Sequence, residues 1–132
     1  LHRGITVTGP HQCSAAIEDQ QTASALEPDN PVMHNELAWL LATAPDESHR
    51  DGNKALEHAM RALELTDEAA TRDTLAAALA ELGRFEEAVE QQTLAIDMAQ
   101  SEDATAEIVG IQKRLVLYQN EQPLRCPGED CD

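Results

Sequence analysis

Gly83-Arg84-Phe85-Glu86-Glu87-Ala88-Val89-Glu90 is the stretch on which the fold of this chain turns. Glycine accepts the left-handed backbone that ends a helix at low cost. Before Gly83 the apolar residues Leu75, Ala76, Leu79 and Leu82 recur at helical spacing. After it, Phe85, Ala88, Val89, Ala95 and Ile96 resume that period. The pattern predicts one helix over about 68–82 and another over 85–99. So short a connection makes them an antiparallel hairpin.

The same reading extends outward. Ala16, Ile17, Ala23 and Leu26 share a helical face that stops at Pro28-Asp29-Asn30-Pro31. A second helix is expected over about 32–44, with Leu37, Ala38, Leu40 and Leu41 inward, ended by Pro45-Asp46-Glu47-Ser48. A third over about 52–65 carries Ala55, Ala59 and Ala62 in one row and Leu56, Met60 and Leu63 in the next. The last, over about 103–119, carries Ile108, Ile111, Leu115 and Tyr118. Residues 1–9 differ: Ile5 and Val7 alternate with threonines between glycines, which reads as a short extended segment. Pro10 suits a first helical turn. The expected organisation is an extended N-terminal segment over 1–12, a helical repeat domain over 13–119 and a tail over 120–132.

The Gly83–Glu90 stretch resembles the turn of a tetratricopeptide repeat, a helix-turn-helix unit of about 34 residues. In that family small residues let the two helices of a unit approach closely, and Ala76 and Ala88 stand at those places. Leu75 and Leu79 match the large apolar positions of the first helix. Phe85 matches the aromatic that opens the second, and Ala95 its later small residue. Leu37, Ala38 and Leu41, with Ala55 and Ala62, repeat the pattern one unit earlier. Ala16, Ala23 and Pro28 match a second helix and its closing proline. The separations agree: Ala16 to Ala55, Leu37 to Leu75 and Ala55 to Ala88 fit one period with a five-residue insertion within 45–52, the last two each one residue short. Leu37-Ala38-Trp39-Leu40-Leu41-Ala42-Thr43-Ala44-Pro45-Asp46, then Arg50-Asp51-Gly52, resembles a bacterial subtype with a lengthened loop inside the repeat. Arg114-Leu115-x-x-Tyr118 and Pro123-Leu124-Arg125 resemble the usual end of that subtype. Cys13, Ala59 and Gln92 depart from the bulky residues of the pattern, so packing around them is expected to be looser or to involve a neighbour.

Composition agrees with an all-α solenoid of about six antiparallel helices. Trp39, Phe85 and Tyr118 are the only aromatic residues of the Phe, Trp and Tyr classes, and alanine and leucine dominate the apolar set. The formal net charge is −16, with Lys54 and Lys113 the only lysines. Such a surface repels nucleic acid and anionic membranes and favours basic or apolar partners. No apolar run approaches the ~20 residues of a membrane-spanning helix. No asparagine begins an Asn-X-Ser/Thr acceptor.

No constellation in the sequence carries catalysis. There is no Gly-x-Ser-x-Gly, no Cys–His signature and no glycine-rich phosphate loop. His34 and His58 fall on adjacent predicted helices, and scattered surface histidines are the plainer reading. His11-x-Cys13 and Cys126-x-x-x-x-Cys131 lack zinc-site spacing, so no metal and no cofactor is expected. Pro127-Gly128 turns the chain between Cys126 and Cys131, which leaves a disulfide and two free thiols both open. A start without Met and a possible disulfide lean towards an exported protein.

The resemblance implies a non-enzymatic protein–protein interaction module. It places Asn35, Trp39 and Thr43 in one unit, and Asp73, Ala77 and Glu81 in the next, along a concave groove that holds a protein or peptide partner. The alternative is a structural subunit that stacks head to tail as a homo-oligomer or filament. That alternative comes from the chain's ends: a leading helix without its hairpin partner, and a last helix with Ile108, Val109, Ile111, Leu115, Val116, Leu117 and Tyr118 spread beyond one stripe.

Overall fold

The computed structural model describes residues 10–103 and 105–125, with side chains from residue 15 onward except at 105. The expected extended segment 1–9, Cys126 and Cys131 lie outside the described residues, and of His11 and Cys13 only helical backbone is described. Six α-helices follow one another: α1 (Pro10–Leu26), α2 (Pro31–Thr43), α3 (Gly52–Leu65), α4 (Ala69–Glu81), α5 (Phe85–Ser101) and α6 (Thr105–Gln119). A 3-10 turn, Glu47–His49, lies between α2 and α3. Among the described residues there is no strand. Each helix packs on the next in the chain, and α2 also packs on α4. The architecture is thus all-α, built as a series of neighbouring helical hairpins. α1 opens at Pro10, so residues 10–12 join the helical body rather than the extended segment.

The boundaries follow from local chemistry. Asn30 caps α2 by accepting from the Val32 N–H at 2.9 Å, with Pro31 in the first turn, where a missing N–H costs nothing. Asp51 caps α3 by accepting from the Lys54 N–H at 3.0 Å. Thr71 closes the start of α4: its hydroxyl accepts from the Glu68 N–H at 3.0 Å and donates to the Thr66 carbonyl at 2.8 Å. Gly83 sits at φ 80°. The Arg84 N–H then bonds the Leu79 carbonyl at 2.9 Å and the Gly83 N–H the Ala80 carbonyl at 3.0 Å, the paired closure of a left-handed helix stop.

The two hairpins differ by the expected insertion. The connection runs over 82–84 between α4 and α5 but over 44–51 between α2 and α3, five residues more. Arg50 holds the longer loop. Its Nη1 donates to the Ala44 and Pro45 carbonyls at 2.8 and 3.1 Å, and its Nε to Glu81 Oε2 at 3.2 Å. Gly52 permits a close approach: a Cβ there would lie 2.8 Å from Leu82 Cδ2, so that side chain would have to shift.

Alanine makes the core thin and tight. Ala38, Ala55, Ala59, Ala62, Ala76 and Ala88 are fully buried, so helix axes come close where larger side chains would hold them apart. One cluster joins α1 to α5 with Tyr118 of α6, and a smaller one joins Ala69, Ala95, Ala99 and Ile111. Ala59 and Gln92, where looser packing or a neighbour is expected from sequence, are both fully buried, and Gln92 bonds Asp73 of α4 and the Ile111 carbonyl of α6.

Candidate functional site

The face formed by α2 and α4 carries the site. A pocket of about 270 Å³ opens there, lined by Asn35, Glu36 and Trp39 of α2, Asp73 and Thr74 of α4 and Arg114 of α6. The helix period explains the grouping. Asn35 and Trp39 are four apart on α2, while Ala70, Asp73 and Thr74 form one stripe of α4.

Asp73 is the hub. Its Oδ1 accepts from Arg114 Nε at 3.0 Å and its Oδ2 from Arg114 Nη2 at 2.7 Å, a two-pronged ion pair. Gln92, fully buried on α5, donates Nε2 to Asp73 Oδ1 at 2.9 Å and to the Ile111 carbonyl at 3.0 Å. One carboxylate therefore ties α4 to both α5 and α6. The Arg114 guanidinium also lies over the Trp39 ring, 5.3 Å from its centroid. Gly110, one turn before Arg114, leaves room for that side chain to fold back: a Cβ there would be 3.3 Å from Arg114 Nη1.

Three buried polar atoms around this hub have no hydrogen-bond partner among the described residues: Asn35 Oδ1, Gln92 Oε1 and the Tyr118 hydroxyl. Burial drives the Tyr118 pKa upward, the Asp73 charge adds to the rise and Arg114 opposes it, so the phenol stays protonated.

The residues expected along the groove divide here. Asn35, Trp39 and Asp73 line the pocket. Thr43 and Ala77 do not: both are fully buried, and the Thr43 hydroxyl donates to the Trp39 carbonyl at 2.7 Å. Glu81 is paired internally, with Arg50 at 3.2 Å and Arg125 at 2.8 Å. For Glu81 one partner comes from the C-terminal end of the described chain. After α6, Glu121 adopts φ 57° and the Gln122 N–H bonds the Leu117 carbonyl at 2.9 Å, which turns the backbone back onto the body. Leu117 and Tyr118 from α6, and Leu124 from beyond the turn, belong to the cluster that holds Ala77 and Leu41. Residues 120–125, placed in the tail by sequence, therefore close one end of the face. Arg114 and Gln92 are the site residues that sequence reasoning did not assign. Their signal was an acid, Asp73, set in an alanine-rich helix, with a glutamine where the repeat pattern has a bulky apolar residue.

His34 and His58 do meet. Their rings stack with centroids 5.2 Å apart, and their Nδ1 atoms are 3.0 Å apart. His34 Nε2 donates to the Pro28 carbonyl at 2.7 Å, which leaves His34 Nδ1 to accept from His58 Nδ1–H. Burial lowers the His58 pKa below its usual 6.5, and the neighbouring His34 and Lys54 add to this while Glu57 opposes it. Among the described residues no group of three or more His, Cys, Asp or Glu side chains is placed to hold a metal ion. Nor is any helix there long and apolar enough to cross a membrane. No family model, curated protein or solved structure matches the chain.

Proposed function

We propose that this chain is a tetratricopeptide-type protein–protein interaction module that does no chemistry and holds an extended segment of a partner on the α2–α4 face. The pocket beside Trp39 carries this reading. It combines a half-buried indole with the carboxylate of Glu36, and beside them Asn35 Oδ1 is buried with no hydrogen-bond partner among the described residues. Tryptophan flanked by fixed polar groups is the composition of an energetic anchor. Acceptors predominate because Arg114 is already held by Asp73, so the pocket suits an N–H donor or a basic side chain. The net charge of −16 favours the same partners.

Trp39 is the sole tryptophan, so its fluorescence reports directly on the pocket. Titration with lysine-containing peptides is expected to shift that emission, and glutamate-containing peptides of equal length are expected to leave it unchanged. Trp39→Ala is expected to abolish capture of the native partner with helicity intact. Full capture by that variant would move the binding surface away from α2 and α4.

A second reading is head-to-tail self-assembly through α6. It is supported by Val109 and Val116, seven residues apart on one side of α6 and 58% and 54% exposed. Light scattering over a range of concentration and salt separates the two. A monomer throughout removes self-assembly, and a polymer dispersed by Val116→Asp supports it.

A further inference from the structure

The far side of α4 presents a different surface. Leu75 and Leu79 are about 200° around the helix from Asp73 and Ala77 at 100° per residue. They form the floor of a groove of about 400 Å³ between α3 and α5. Leu56, Met60 and Leu63 of α3 make its apolar wall, and Met60 is 54% exposed. The rim is acidic. Glu64 stands on the α3 side, and Glu87 and Glu90 stand on the α5 side. Arg84 is the one cation in the lining, and Glu87 holds it with two bonds of 2.7 and 2.8 Å. Glu64 is paired with Arg61 at 3.2 Å, whereas Glu90 makes no ion pair among the described residues.

The shape follows from the repeat. Both hairpins pack on α4, but α3 and α5 make little direct contact with each other, so the row between them stays open. Leu56, Met60 and Leu63 stand at i, i+4 and i+7, the spacing of a two-turn apolar stripe about 10.5 Å long. A stripe of that length with acids along both edges is complementary to one object. That object is a short amphipathic helix with leucine-like residues on one face and lysine or arginine on both flanks.

We infer that the groove between α3 and α5 is a second docking surface and that its occupant is a basic amphipathic helix of a partner protein. This surface is independent of the pocket beside Trp39, because the two open on opposite sides of α4. The partner's apolar face displaces water from Met60 and the leucine floor. Its basic flanks meet Glu64, Glu87 and Glu90.

The test uses the full chain and three labelled synthetic peptides of four turns, followed by fluorescence anisotropy. One peptide has leucines at i, i+3, i+4 and i+7 with lysines elsewhere. The second replaces lysine by glutamate, and the third scrambles the first. The Leu/Lys peptide is expected to bind at least about tenfold more tightly than either of the others. Met60→Asp is expected to weaken it about tenfold, Glu90→Lys several-fold with a steeper loss at low salt, and Leu26→Asp, at a remote exposed leucine, not at all. Circular dichroism checks that each variant is folded, and Glu90→Lys reads the charge half of the proposal even where Met60→Asp unfolds. Amide shifts on binding are expected along α3 and α5. Equal binding of the scrambled peptide, absence of binding, or shifts confined to α2 and α6 would each overturn the inference. So would a dimer of the chain alone that Met60→Asp dissolves, since a second copy would then be the occupant.

Discussion

Hairpins α2–α3 and α4–α5 share one backbone plan and close it with different polar chemistry. In register, Asn35 and Ala59 of the first stand where Asp73 and Gln92 stand in the second, and His34 and His58 stand where Arg72 and Gln91 stand. In the second hairpin both pairs are bonded across the helices. Gln92 donates to Asp73 at 2.9 Å, and Arg72 Nη1 donates to Gln91 Oε1 at 2.8 Å. In the first the inner pair makes no such bond. Ala59 offers nothing to Asn35, whose Oδ1 is left unpartnered at the pocket, and the outer pair is a stack of two titratable rings. The difference teaches that the apolar frame of a hairpin fixes its helices, while the polar positions beside it decide which side chains tie those helices together.

The sharpest way to break this contrast is Asp73→Ala. It would leave Gln92 and Arg114 without their shared acceptor in a largely buried place and is expected to cost about 3–5 kcal/mol. A urea midpoint lowered accordingly would support the hub. A change below about 1 kcal/mol would reduce the pair to the value of a surface ion pair. Ala88→Leu comes next, because it forces a larger side chain into a fully buried position of the α4–α5 hairpin. It is expected to destabilise by about 1–3 kcal/mol. An unchanged melting curve would show that the hairpin does not depend on alanine there. Gly83→Ala is expected to cost about 1 kcal/mol, since φ 80° disfavours any Cβ although nothing stands within 4 Å of one. Thermal unfolding of the variant reads this as a small shift with unchanged helicity.

The smallest effect should be the pH dependence of the α2–α3 hairpin. A His58 pKa below the usual 6.5 means that the unfolded chain binds the proton more readily. Stability from this group is therefore present above 6.5 and is lost as pH falls through that value towards the lower folded pKa. His58→Gln, which copies the residue at Gln91, is expected to flatten the slope of stability between about pH 7 and 5. An unaltered slope would remove the stack as its source.

Much of the fold was legible in the residues. Periodic leucine and alanine rows, Gly83 and the proline clusters place the helix starts and stops, because helical spacing and capping are local properties. The five-residue loop insertion was legible as well, from the separations of matching alanines. The site was legible only in part. Asn35, Trp39 and Asp73 could be assigned to one face by register. The burial of Thr43 and Ala77 and the pairing of Glu81 could not be read there, because they depend on residues remote in sequence, among them Arg125 at Glu81. Leu117 and Tyr118 arrive on α6, and Leu124 arrives only after the turn at Glu121.

Sequence by itself determined the all-α hairpin series, the acidic surface and the small residues along which the helices meet. These depend on spacing, charge and side-chain volume, which each residue carries wherever the chain goes. Only the tertiary structure decided that Asp73 is a hub shared by Arg114 and Gln92, that Arg125 seals one end at Glu81, and that α3 and α5 stand apart over a leucine floor. Those facts join residues remote in sequence. Distance, burial and hydrogen-bond direction between such residues are set by how the hairpins pack, not by their order along the chain.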